Sequence, residues 1–157
     1  MTARNFSAAF TVAQSPEEVF AAVNNVRGWW SETIEGASDK VGARFRYRHG
    51  DLHDTTQKIT KLEPGRKVVW RVTDGRINFV DDKSEWKGTD IVFDIARKNG
   101  KTELRMTHVG LVPDLECFND CSGGWSYYFG GSLRKLITTG KGQPDPKETS
   151  TQSRRKK

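Results

Sequence analysis

The stretch IVFDIARKNGKTELRMTH, residues 91–108, decides how the chain folds. Ile91, Phe93 and Ile95 alternate with Val92, Asp94 and Ala96, while Leu104, Met106 and His108 alternate with Glu103, Arg105 and Thr107. Alternation with period two places each set on its own face of an extended strand. Asn99-Gly100 between the runs tolerates the positive φ of a two-residue hairpin turn, so the runs are expected to pair antiparallel. One face of the hairpin is apolar and needs a second layer to cover it.

Upstream, the same grammar repeats. Arg44 to His49 puts Phe45, Tyr47 and His49 on one face and arginines on the other. A turn near Gly50-Asp51 leads into a strand from His53 through Leu62, and Glu63-Pro64-Gly65-Arg66 marks a tight turn. Val68, Trp70 and Val72 follow on one face with Arg71 opposite. Thr73-Asp74-Gly75 is expected to turn again, and 76–85 reads as a connection with a short strand around Asn78 to Val80. At the start, Phe6, Ala8, Phe10 and Val12 share a strand face. Ser15 then caps a helix with Pro16 in its first position and Glu18 completing a capping box. Val19, Phe20 and Val23 give that helix its apolar side, Asn24 and Asn25 end it, and Val26 to Trp30 forms a second short turn. Trp29-Trp30 falls where the chain returns to the sheet, either guarding a pocket mouth or packing the core.

Downstream of Pro113 the period changes. Phe118, Cys121, Trp125, Phe129, Leu133 and Leu136 recur every three or four residues, the stripe of an amphipathic helix that stops at Gly140. Gly123-Gly124 and Gly130-Gly131 lie inside it, each costing about 1 kcal/mol against Ala in a helix. Close backbone approach to the sheet, room for aromatic neighbours, or a kink must offset them. Residues 1–142 are expected to form one domain and 143–157 a disordered basic tail, rich in Pro, Ser, Thr and Lys.

Composition sets outer limits. A chain of 157 residues fits one domain, and five Trp, eight Phe and three Tyr supply buried area that a 34% hydrophobic content would otherwise lack. Mean hydropathy is -0.72, and no apolar run approaches the roughly 18–20 residues that span a bilayer. Met1 to Ser7 lacks an export signature, so a cytoplasmic location is expected. Cys117 and Cys121, four apart in the expected helix, are placed poorly for a disulfide and are read as reduced, buried packing residues. No metal or cofactor is expected, since no second Cys or His pair lies at ligand spacing near Cys117 and Cys121. Lys147, Arg154, Arg155, Lys156 and Lys157 outnumber Asp145 and Glu148, so half of the net charge of +6 sits in the tail. Such a terminus can attract anionic surfaces, but it reads as solvated, without specific nucleic-acid binding.

The chemistry is sparse. Motifs for a nucleophile between glycines, HExxH metal binding or a phosphate loop are absent, and no catalytic set emerges. Asp81-Asp82 and Glu85 lie in a polar loop where solvation is the default. His108 shares a face with Met106, and is either an anchor for a ligand or a core-edge histidine satisfied by a backbone carbonyl or Tyr47. His49 has a similar but turn-adjacent position, and His53 reads as exposed.

The element order is strand, two short helices, antiparallel meander, long closing helix, which is the order of the helix-grip fold. Phe10-Thr11-Val12 leading into Ser15-Pro16-Glu17-Glu18-Val19-Phe20 resembles the opening of START-like (SRPBCC) proteins of the polyketide cyclase and lipid-transfer type. Glu85-Trp86-Lys87-Gly88-Thr89, Gly124-Trp125, and Ser132-Leu133 through Thr139-Gly140-Lys141-Gly142 resemble its bacterial branch, related to the heat-shock-protein ATPase activators. The resemblance spans about residues 6 to 142 and implies an α+β fold, a curved antiparallel sheet wrapped around a long C-terminal helix. It also implies a cavity between sheet and helix. The candidate ligand-binding residues are Trp30, Phe45, Tyr47, His49, Trp70, Phe93, Met106, His108, Trp125 and Phe129, an aromatic set with a few polar groups. Binding of an apolar or aromatic small molecule by a monomer or homodimer is the leading expectation. A chaperone-associated or stress-response interaction module, and a cyclase or hydrolase using His108, His49 or Tyr47 as acid-base groups, stay open beside it.

Overall fold

A computed structural model of the protein describes residues 6–32, 34–49, 53–77, 88–111 and 123–144. Within them the elements run β1 (Phe6–Val12), α1 (Pro16–Asn24), α2 (Val26–Trp29), β2 (Glu35–Gly36), β3 (Arg44–His49), β4 (His53–Glu63), β5 (Lys67–Ile77), β6 (Asp90–Lys98), β7 (Lys101–Val109), α3 (Ser126–Leu133) and α4 (Arg134–Thr139). The strands form one antiparallel sheet in the order β1-β7-β6-β5-β4-β3-β2. Only β1 leaves chain order, crossing to the far edge to pair with β7. This is the expected helix-grip architecture.

The deciding hairpin pairs Phe93 with Met106 and Ile91 with His108, and Asn99 and Gly100 take φ of 53° and 80°, as a two-residue turn that follows the strand twist requires. One expectation fails here. Thr73-Asp74-Gly75 is not a turn: β5 continues through Ile77, with Asp74 and Gly75 paired to Thr56 and Thr55. The register shifts between Thr56 and Gln57, leaving Thr73 as the extra residue of a bulge. That bulge breaks the alternation and makes a continuing strand look like an ending one. The expected strand around Asn78 to Val80, the acidic loop at Asp81, Asp82 and Glu85, Cys117, Phe118, Cys121 and the tail from 145 onward lie outside the described residues.

Against the inner face of the sheet lie the helices. Ser15 Oγ accepts from the Glu18 amide at 3.1 Å while Glu18 Oε1 accepts from the Ser15 amide at 2.9 Å, closing the capping box. Val19 and Val23 of α1 are buried. Trp29 Nε1 donates to the Val23 carbonyl at 3.1 Å, which fixes α2 against α1. Arg27 ties down the following loop by donating to the carbonyls of Ile34 and Gly36.

The closing helix is wound in a way the sequence only partly suggested. Its buried hydrophobic residues Trp125, Phe129, Leu133 and Ile137 recur every four positions. At 3.6 residues per turn such a row drifts around an α-helix. Residues Ser126–Leu133 are instead wound as a π-helix, whose wider turns keep the row facing the sheet. Close backbone approach does not explain the glycines: a Cβ added at Gly123, Gly124, Gly130 or Gly131 would meet nothing within 4 Å. At Gly142, by contrast, a Cβ would collide with the Gly28 carbonyl oxygen. That approach lets Ser132 Oγ donate to the Trp29 carbonyl and accept from the Gln143 amide, both at 2.7 Å. Gly140 ends the helix in the left-handed conformation at φ 86°.

The outer face of the sheet is charged. Bidentate pairs join Arg46 to Asp54 and Arg71 to Asp90, and Glu103 forms looser ion pairs with Lys98 and Arg105. The hydrogen bonds it donates to Asp54, then the charge of that carboxylate, raise the Arg46 guanidinium further above its already high ordinary pKa. These pairs are solvated and add little stability.

Candidate functional site

The inner face gathers the aromatic residues singled out from the sequence. Trp30, Phe45, Tyr47, Trp70, Phe93, Met106, His108, Trp125 and Phe129 are all buried. The His49 side chain lies outside the described residues. Register explains the gathering, because the alternate positions of β3, β4, β5, β6 and β7 all turn inward together. Tyr47 stacks on Trp30 at 4.4 Å between ring centroids, and Trp30 lies parallel to Trp70 at 5.9 Å. Phe45 and Phe93 meet Trp70 edge-on at 4.9 and 4.8 Å. Phe129 of the helix closes over Phe93 and Phe10, at 6.3 and 4.9 Å. Trp29 and Trp30 are therefore part of this packing, as is Trp125, 5.1 Å from Trp30. Offset and edge-on ring pairs of this kind add stabilisation beyond the area they bury. Trp70, Phe93, Met106 and His108 are 0% exposed, which leaves no room for water beside them.

His108 is held on both sides. Trp125 Nε1 donates to its Nδ1 at 3.0 Å, and Thr89 Oγ1 lies 2.8 Å from Nε2. An indole N–H can only donate, so Nδ1 is bare and the neutral ring carries its proton on Nε2, toward the threonine. The histidine is thus a structural pin between β7, the loop before β6 and the closing helix. Trp125 and Thr89 are side-chain partners that its position on the strand alone did not suggest.

Two residues that sequence reasoning passed over complete the picture. Thr55 and Gln57 stand on the inner face of β4, 1% and 0% exposed, opposite Tyr47 and Phe45. Gln57 Nε2 donates to Thr55 Oγ1 at 2.5 Å, but its Oε1 has no hydrogen-bond partner, and neither has Trp70 Nε1. Each such buried group costs about 1–3 kcal/mol. Among the described residues the other two orphaned side-chain atoms, on Gln14 just before α1 and on Asn24 at its end, lie away from the aromatic interior. At the margin of the site the Tyr47 hydroxyl lies 3.4 Å from that of the half-buried Tyr128 on α3. Among the described residues no group of three or more His, Cys, Asp or Glu could hold a metal ion, and no helix is long and apolar enough to cross a membrane.

Comparison with known proteins agrees with this geometry. A family model for the Activator of Hsp90 ATPase homolog 1-like protein matches residues 13–138. Among solved structures, the chain is similar to the Aha1 dimer from Colwellia psychrerythraea, with 25% identity and a TM-score of 0.71 over 88% of this chain and 99% of that one. It is similar to DynU16, from the dynemicin biosynthetic locus, with 17% identity and a TM-score of 0.67 over 88% of this chain and 48% of that one. CalU16 from Micromonospora echinospora gives 14% and 0.63, over 87% and 77% of the two chains. These last two identities speak to the fold alone, a START-like helix grip. No curated protein matches the chain.

Proposed function

The chain belongs to the Activator of Hsp90 ATPase homolog 1-like family, and from that premise we propose that it binds an apolar or aromatic small molecule between its sheet and its closing helix. The observation that carries this reading is the inner face of β3, β4 and β5, where Phe45, Tyr47 and Trp70 surround the buried polar side chains Thr55 and Gln57. Apolar walls with a few placed polar groups are the usual make-up of a small-molecule site. The ligand displaces part of the covering helix layer and comes in past Tyr128, the half-buried ring over Tyr47. An acid-base role for His108 has less support, because Trp125 and Thr89 occupy both ring nitrogens.

A second reading, association with a chaperone or with a second copy, draws on the Colwellia relative, which is a dimer and is covered over 99% of its length. Native mass spectrometry of freshly purified protein separates the two. A mass excess on the folded chain that disappears on denaturation is expected. A bare chain mass that appears doubled, and stays bare after incubation with sterols and aromatic compounds, would overturn the small-molecule reading in favour of the second.

A further inference from the structure

We infer that the molecule bound at this site is neutral and carries a hydroxyl group, which bridges Gln57 and Trp70. The inference rests on the small-molecule reading above and specifies its ligand. Trp70 pairs with Ile59 and Gln57 with Val72, so the two side chains stand one step diagonally apart on the same face of β4 and β5. Diagonal neighbours on one sheet face lie within reach of long side chains and of a small group placed between them. Both residues are 0% exposed, so water does not satisfy Trp70 Nε1 or Gln57 Oε1 in the closed state.

Trp70 Nε1 can only donate, and the carbonyl end of the Gln57 amide can only accept. The smallest neutral group that accepts from one and donates to the other is a hydroxyl. Turning the amide over still admits a hydroxyl, although a bare acceptor such as a ketone would then serve as well. Thr55 Oγ1 can serve either end, one amide end stays unmet, and a hydroxyl oxygen has two lone pairs to receive both donors. A ketone or an ether could accept from Trp70 but has nothing to donate to Gln57 as it now stands.

Charge is excluded by the same surroundings. Among the described residues the buried polar side chains are hydroxyls, one amide and one histidine, with no Lys, Arg, Asp or Glu. The histidine is neutral, since its Nδ1 accepts from Trp125. A carboxylate or phosphate brought here would lose its water and find no counter-charge. An apolar body with one hydroxyl, a phenol or a ring alcohol, meets both conditions.

Titration calorimetry with naphthol, methylnaphthalene and naphthoate of one substitution pattern tests this, since the three share a shape and differ in a single group. On Gln57→Leu, the preference of the protein for naphthol over methylnaphthalene is expected to fall about tenfold, the worth of one buried hydrogen bond. Naphthoate should bind the wild-type protein weakest. Trp70→Phe keeps a ring, removes the donor and should shift the same ratio, which covers the case in which Gln57→Leu misfolds. Should methylnaphthalene bind while both variants leave the ratio unchanged, the hydroxyl inference fails and the small-molecule reading stands. Tightest binding by naphthoate would overturn the neutral-ligand claim. If none of the three binds, the small-molecule reading falls and this inference with it.

Discussion

Two halves of one interior face follow different rules. Under β1, β6 and β7, the buried polar groups that accompany the apolar residues are answered: Thr102 Oγ1 donates to the Gln14 carbonyl at 2.7 Å, and His108 has a partner on each nitrogen. Under β3, β4 and β5, Gln57 and Trp70 are equally buried and each keeps an unmet atom. A fold selected only for stability has no reason to tolerate the second half, because hydrophobic replacements of similar size would remove the penalty. The contrast assigns the first half to holding the chain together, and the unmet atoms of the second are what the small-molecule proposal draws on.

Leucine placed at each half's central polar residue should give opposite signs. His108→Leu takes the acceptor from Trp125 Nε1 and the ring partner from Thr89, and is expected to cost about 2–3 kcal/mol in urea denaturation. A loss too small to measure would mean that the histidine pin is not what secures the first half. Gln57→Leu is expected to leave stability unchanged or to raise it by up to about 1 kcal/mol, since it removes an unanswered amide from an apolar site. Were it as damaging as His108→Leu, the two halves would be alike and the contrast would collapse. Gly130→Ala probes the helix that roofs both. Nothing lies within 4 Å of the added methyl, so a gain of at most about 1 kcal/mol in thermal or chemical melting is expected. A marked loss instead would show that the π-helical winding needs glycine.

The first half was the legible one. Ile91, Phe93, Ile95, Leu104 and Met106 alternate with polar residues, and Asn99-Gly100 has the chemistry its turn demands, so period and turn agree. The capping box at Ser15 and Glu18 was equally open to reading, as was the helix stop at Gly140. Thr55 and Gln57 escaped because β4 is polar on both faces: Asp54, Thr56 and Lys58 point outward while Thr55, Gln57 and Ile59 point inward. No hydrophobic period marks the buried side there. The bulge at Thr73 hid the continuation of β5 for a related reason, since one extra residue inverts the pattern beyond it. The π-helical winding was partly written in the four-residue spacing of Trp125, Phe129, Leu133 and Ile137, but a spacing of four is also an ordinary α-helical neighbour spacing. The bond from Trp125 to His108 joins two elements whose approach no local pattern encodes.

The tie made by Ser132 also bears on the order in which the molecule comes together. Strands β3 to β7 close through neighbouring hairpins, contacts that form early because little chain entropy is lost in making them. The opening strand and α2 depend on distant partners instead: β1 waits for β7, and the Trp29 carbonyl waits for a hydroxyl 103 positions later. On a ribosome β1 and α2 are therefore made well before their partners and settle late. They stay open to quality-control factors until Gln143 has emerged and the serine knot can close.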